Sequence, residues 1–442
     1  MRIHRTLFRT LLASAALLAI SSSLRGQAGD PAPETWSFHG QATTVTQGHG
    51  AFPSPYSGDN SFESRKEIRN SFTSTLFLGC RLWEGAELYG NPELAGGQGL
   101  SHVLGLAAAP NGEIYRVASS ELKISLARLF LRQSWDFGGG TEPVAADQNQ
   151  LAGSRDRRRV VMTIGKIALG DVFDANAYAH DPRSQFLNWS LMDTSAWDYP
   201  ADTRGYSWGA AFELYWYVWV IRAGSFMVPT QANGLSFDHQ VDRAHGDVLE
   251  VEHDHEIGGQ GGHVRILGYA NHADMGSYEE SLQLSPLAPD VIATRQPGRI
   301  KYGWGLSADQ ALTGDLGAFL RAGWNDGHTE TWVFTEVDRS LALGLSLGGT
   351  RWSRPQDRLG IALAANGLSP EHRAYLAAGG LGFMLGDGRL NYDQEWLFET
   401  YYAVSLGRFF TATLDAQRIW NPGYNRDRGP VGIYALRLHT QF

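Results

Sequence analysis

Apolar and polar residues alternate along most of this chain with a period of two. Trp36, Phe38, Gly40, Ala42 and Thr44 alternate with Ser37, His39, Gln41 and Thr43. Leu76, Leu78, Cys80 and Leu82 do the same against Thr75, Phe77, Gly79 and Arg81. The pattern recurs over 300–307, where Ile300, Tyr302, Trp304 and Leu306 form the apolar set, and over 315–324 and 340–347. Alternation of this kind marks strands with one apolar and one polar face.

About sixteen strands are predicted on this basis: 36–48, 70–83, 86–94, 121–137, 158–169, 205–216, 218–228, 247–257, 262–274, 300–309, 315–325, 336–348, 358–367, 395–406, 409–418 and 431–442. Many exceed the ~5–6 residues of soluble strands and match the ~9–11 that cross a bilayer at a tilt. The less apolar face is rich in Gly, Ser and Thr with scattered charges, as a wet lumen requires, and aromatics such as Trp36, Trp83, Trp135, Trp216, Trp324, Trp396 and Trp420 stand near segment ends. Links after even-numbered segments are mostly tight, as at Glu84-Gly85 and Gly407-Arg408, whereas those after odd-numbered ones are long, as at 170–204 and 368–394. The expected fold is therefore all-β: a transmembrane antiparallel β-barrel of about sixteen strands with long extracellular loops and short periplasmic turns. The stretch 139–157 is long where a turn is due, and a lumenal or periplasmic insertion is expected there.

The N-terminus reads as a targeting segment. Arg2, Arg5 and Arg9 precede an apolar run from Leu11 to Ile20, and Gly26-Gln27-Ala28 offers small residues at a cleavage site. Residues 1–28 are expected to be a secretory signal peptide, 29–35 a short lead, and 36–442 a single barrel domain. No later stretch is apolar for the ~18 residues of a membrane helix.

The chain has 442 residues, 43% apolar and 19% charged. That composition excludes disorder. Its net charge is −9; without the four arginines of the first 28 residues, 33 basic face 46 acidic residues. Such a balance argues against a nucleic-acid partner. The single cysteine, Cys80, allows no intrachain disulfide.

Six separated segments carry a family resemblance: PSPYSGDNSF (53–62), AELYGNPEL (86–94), ARLFLRQSW (127–135), YAHDPRSQFLNWSLMD (178–193), HRAYLAAGGLGFMLGDG (372–388) and NPGYNRDRGPVGIYALRLHTQF (421–442). In this order they resemble the carbohydrate-selective porins of the OprB type, from about Trp36 to Phe442. Gly90 departs from that pattern, where a bulkier residue is expected. The resemblance implies a sixteen-stranded barrel in the outer membrane of a Gram-negative bacterium, passing small sugars by diffusion. The closing aromatic, Phe442, resembles the signal read by the barrel-assembly machinery. Porins commonly assemble as trimers, so a homotrimer is one expected arrangement, with outer-membrane lipid around it.

If apolar residues face lipid, the opposite positions line the pore. That places Arg81, Arg128, Arg132, Glu213, Glu250, Glu252, Asp254, Arg265, Arg321, Glu395, Glu399, Asp415 and Arg437 on the lumenal face. Basic and acidic arcs there are expected to set a field across the eyelet, or else to pair across strands. The 170–204 loop carries Asp181, Arg183, Asn188, Trp189, Asp193 and Trp197. Sugars bind against aromatic faces flanked by planar polar groups, so this loop is expected to fold inward and form the constriction. A second candidate is 369–380, where Ser369-Pro370-Glu371 caps a short helix.

Other matches carry no chemistry. Gly205-Tyr206-Ser207-Trp208-Gly209 and Gly344-Leu345-Ser346-Leu347-Gly348 fit a nucleophile pattern but lie inside strand alternation, without the strained turn that chemistry needs. His253 and His255 share an outward face, and no motif calls for a metal or cofactor. A catalytic role is not expected. The reading is a sugar-selective porin, with a general or cation-preferring porin, for example for divalent metals, as the alternative.

Overall fold

The computed structural model describes residues 33–114 and 121–442. Residues 1–28 of the expected signal peptide, and the lead as far as residue 32, lie outside the described residues. The first half holds β1 (Trp36–His49), β2 (Glu67–Trp83), β3 (Ala86–Gly97), β4 (Lys123–Asp136), β5 (Thr141–Val144), β6 (Gly153–Asp156), β7 (Arg158–Ile167), β8 (Ser207–Trp216) and β9 (Trp219–Met227). The second holds β10 (His245–Ile257), β11 (Gln260–Met275), β12 (Gln296–Ala311), β13 (Leu316–Asn325), β14 (Arg339–Gly348), β15 (Arg358–Gly367), β16 (Glu395–Ser405), β17 (Phe410–Trp420) and β18 (Val431–Gln441). All except β5 and β6 join one closed barrel, each strand antiparallel to its neighbours. β1 closes it against β18, from Gln41 opposite Gln441 to His49 opposite Ile433. Closure leaves no strand edge unpaired, which is what a lipid surround demands.

Side-chain parity explains the wall. Leu78, Leu88, Phe212, Ile266, Leu343, Leu363 and Leu438 are exposed and form the lipid-facing band. Gln41, Thr43, Thr73, Thr75 and Asn91 project inward and are buried. Tryptophans pair across strands near both rims, Trp216 with Trp219 and Trp396 with Trp420. Interfacial girdles take this form because indole combines an apolar body with a polar N–H. No helix among the described residues is long and apolar enough to cross a membrane.

Every expected strand is present, with shifted ends. Residues 336–338 leave the strand because Glu336 and Asp338 turn to other loops: Glu336 Oε2 accepts the Met384 and Leu385 N–H groups at 2.9 and 2.5 Å. The turn between β10 and β11 is Gly258-Gly259, both at positive φ (61° and 77°), the geometry that matches the twist of paired strands.

The 139–157 stretch forms the β5–β6 hairpin, and its tip enters the barrel from the short-turn side. Leu151 N–H donates to the Tyr89 hydroxyl (3.2 Å) and Asn91 Nδ2 to Asn149 Oδ1 (2.8 Å), both partners lying on the inner face of β3. Short helices occupy the opposite, long-loop side: α1 (Trp189–Met192), α2 (Tyr278–Leu284) and α3 (Pro370–Ala377). Ser369 caps α3 by accepting the His372 N–H at 3.0 Å.

Candidate constriction and lumen wall

The loop from 168 to 206 runs inside the barrel, and wall residues from strands all round it fix its course. Arg321 on β13 pairs with Asp174 and donates to the carbonyls of Asp174 and Ala179 at 3.0 and 2.8 Å. Glu250 on β10 accepts the Asp174 N–H at 2.7 Å. Further round, Glu399 on β16 accepts the Leu187 and Asn188 N–H groups at 2.5 and 3.0 Å. Arg437 on β18 donates to the carbonyls of Pro182 and Gln185 at 2.6 and 2.8 Å. Irregular backbone buried in a barrel must have its N–H and C=O groups satisfied, and side chains of the wall do this.

Two inner-face glycines make room for the loop. A Cβ on Gly317 would lie 2.0 Å from the Tyr178 ring, and one on Gly323 would lie 2.7 Å from Thr194 Cγ2. On this side of the barrel the glycine-rich face is a seat for the loop rather than open water. Residues 107–110 come in as well: Gln47 and Gln417 both donate to the Pro110 carbonyl at 2.8 Å, and Glu395 accepts the Ala107 N–H at 3.1 Å.

All thirteen lumenal charges project inward, but in two environments. Arg81, Arg128, Arg132, Glu213 and Asp254 keep partial exposure. Glu250, Glu252, Arg265, Arg321, Glu395, Glu399, Asp415 and Arg437 are buried under loops or in ion pairs, so they do not line open water. Nor do the charges separate into arcs over β8–β12. Arg222 contacts Glu213, Glu250 and Glu252 at 3.2, 2.9 and 2.9 Å. Arg265 then bridges Glu252 and Asp309, both at 2.6 Å.

The loop aromatics require a correction. Trp189 is 8% exposed and stacks on Phe334 at 4.6 Å; Trp197 is 3% exposed and packs against Phe173 and Tyr199. Both belong to the apolar core between the loops, where no sugar reaches their faces. Asn188 is also committed, capping α1 through Ser190 N–H and donating to Gln417 Oε1 at 3.0 Å. Burial, with Asp174 nearby, pushes the carboxyl of Asp193 up to about 6.

Asp181 and Arg183 remain partly exposed, and they join groups the sequence reading passed over. Arg183 Nε contacts Glu113 Oε1 at 2.9 Å and its Nη2 lies 3.8 Å from Glu93. The Tyr206 hydroxyl donates to Glu93 at 3.1 Å, and the Arg128 guanidinium lies 5.2 Å over the Tyr206 ring. Arg128 in turn holds Asp171 through two bonds of 2.6 and 2.7 Å. Burial pushes the Glu113 carboxyl up, against the pull of Arg183. Glu93 and Arg222 stood at inward parity and were legible. Glu113 sits in a loop, where no period marks a face, and Tyr206, expected in the strand 205–216 at outward parity, precedes β8 and is buried against Glu93.

A closed barrel with an apolar outer band, a polar interior and an inserted loop defines an outer-membrane diffusion channel. The model of the family described as "Carbohydrate-selective porin, OprB family" matches residues 71–442, and the chain belongs to that family. It is a sugar-selective porin, a channel of the Gram-negative outer membrane. Its fold is similar to the high-pH structure of Pseudomonas putida OprB at 16% identity and TM-score 0.70, covering 92% of this chain and 94% of that one. The outer-membrane channel DcaP of Acinetobacter baumannii is similar at 8% identity and TM-score 0.50, covering 95% and 100%. No curated protein matches the chain in sequence.

Proposed function

We propose that small sugars pass beside the chain of planar groups running Asp171, Arg128, Tyr206, Glu93 and Arg183, and that these groups set the selectivity. The supporting observation is that the inserted loop is bound to the β10–β18 wall while Arg128, Asp171 and Arg183 keep partial exposure. Guanidinium and carboxylate planes exchange hydrogen bonds with vicinal hydroxyls in fixed geometry. Each charge here has an opposite partner, so the chain presents hydrogen-bonding groups with little net field. That favours neutral solutes over the cation-preferring alternative. Arg128→Gln with Arg183→Gln is the test, in sugar uptake by proteoliposomes. Sugar-dependent saturation should weaken about tenfold while small-ion conductance persists; unchanged saturation contradicts the assignment.

The same reading assigns the assembly signal to Phe442. Its ring lies 5.9 Å from Phe38, and its backbone exchanges bonds of 3.0 and 3.1 Å with Gly40 across the seam. Phe442→Ala should lower the fraction of barrel assembled in the outer membrane, scored by heat-modifiable mobility; an unchanged fraction removes the assignment.

A further inference from the structure

The β5–β6 hairpin does more than fill the short-turn side of the lumen. Between its tip, residues 147–150, and the start of the inserted loop lies a cavity of about 240 Å³. Phe130 closes one side, buried at 3% exposure and stacked on Tyr89 at 5.1 Å with 28° between planes. The Arg132 guanidinium lies 5.2 and 5.3 Å over these two rings and donates to the Asn149 carbonyl at 2.9 Å.

The tip is built rather than loose. Asp147 and Gln150 exchange backbone hydrogen bonds of 3.1 Å, and Asp147 Oδ1 accepts the Gln148 N–H at 2.7 Å. Asn149 adopts a left-handed φ of 55° and is tied to the wall through Asn91. Across from the tip stands Thr163, 2% exposed, whose hydroxyl has no hydrogen-bond partner among the described residues. Asp171 closes the roof while bound to Arg128.

These groups suit one kind of ligand. The amides of Gln148 and Asn149, the Thr163 hydroxyl and the carboxylates of Asp147 and Asp171 exchange hydrogen bonds with the hydroxyl rim of a sugar ring. Arg132 and Arg128 are already engaged, so no free cation invites an anion. The volume lies below the ~300–1,000 Å³ of drug-sized pockets, which admits a single ring and excludes an oligosaccharide. We propose that this cavity is a saccharide site for one uncharged pyranose-sized ring, created where the hairpin tip faces the inserted loop. It adjoins the Asp171 end of the selectivity chain, and the proposal rests on the reading that sugars pass through this barrel.

Single-channel recording with glucose as the probe tests it. The full chain should show two block lifetimes. Gln148→Ala combined with Thr163→Val removes two hydrogen bonds and should shorten one lifetime roughly tenfold, leaving the other unchanged. Replacing 145–152 by a Gly-Ser turn should abolish that same lifetime, and it keeps the test decisive if the double variant folds poorly. Two lifetimes unaffected by either change, or a single lifetime in the unaltered chain, overturn the proposal and leave the sugar-porin reading standing. Failure of glucose and every other tested monosaccharide to block the unaltered chain overturns the proposal and the selectivity chain together.

Discussion

A buried charge in this barrel is stable because the loop beneath it presents backbone partners. Arg321 shows the arrangement: it neutralises Asp174 and takes two carbonyls, while itself almost fully buried. Removing one partner of a buried pair leaves the other uncompensated, at a cost of about 3–5 kcal/mol. Arg321→Ala should therefore lower the urea midpoint of unfolding sharply, whereas Arg81→Ala, at a half-open pair with Glu87, should cost less than about 1 kcal/mol of stability and barely move the midpoint. Trp197→Ala belongs with the first group. It should cost about 3–5 kcal/mol through the cavity it leaves, and the sugar-block lifetime should persist; a selective loss of block would return Trp197 to the binding surface. Asp338 supplies a pH signature. Burial alone would raise its carboxyl, but the His372 ring at 3.0 Å, Lys301 and the Ser369 N–H outweigh burial and hold it at about 2. A depressed carboxyl contributes stability above its unfolded value of about 3.9 and loses it as pH falls through the folded value. Protease resistance of the 326–338 and 368–394 loops should hold down to about pH 4 and decline toward about pH 2, and Asp338→Asn should flatten that decline. Parity in the sequence was enough to read which side of the wall a charge takes. It carried no information on what covers the charge, since Glu399 meets Leu187 across 212 positions of chain.

At the scale of elements, the strands were legible and the insertions only partly so. A period of two survives because lipid and lumen impose opposite demands on successive residues. The same rule fails where strand ends meet loops, as at Glu336 and Asp338. Inner-face glycines such as Gly317 looked like signs of a wet lumen, yet they mark where Tyr178 approaches the wall. Close approach and solvent exposure leave the same small residue in a sequence. The irregular length of 139–157 did flag an insertion, and only the tertiary contacts of Leu151 and Asn149 give its direction. The inserted loop should be the element that limits current. Deleting 182–197 should raise single-channel conductance, and an unchanged conductance would mean that the limiting section lies elsewhere.

For the whole molecule, closure at β1 and β18 and the pairing of lumenal charges act together. The chain is acidic overall, but Glu213, Glu250, Glu252 and Asp309 are each in contact with Arg222 or Arg265. A channel whose wall charges are paired focuses little net potential on passing ions. Low ion selectivity and recognition of uncharged rings are then two consequences of one arrangement. Both are read together in a planar bilayer holding the refolded chain under a salt gradient, with glucose, maltose or xylose titrated in. The account predicts a reversal potential near zero and saturable block by at least one sugar at millimolar concentration. A strongly cation-selective reversal potential without block by any sugar would contradict it.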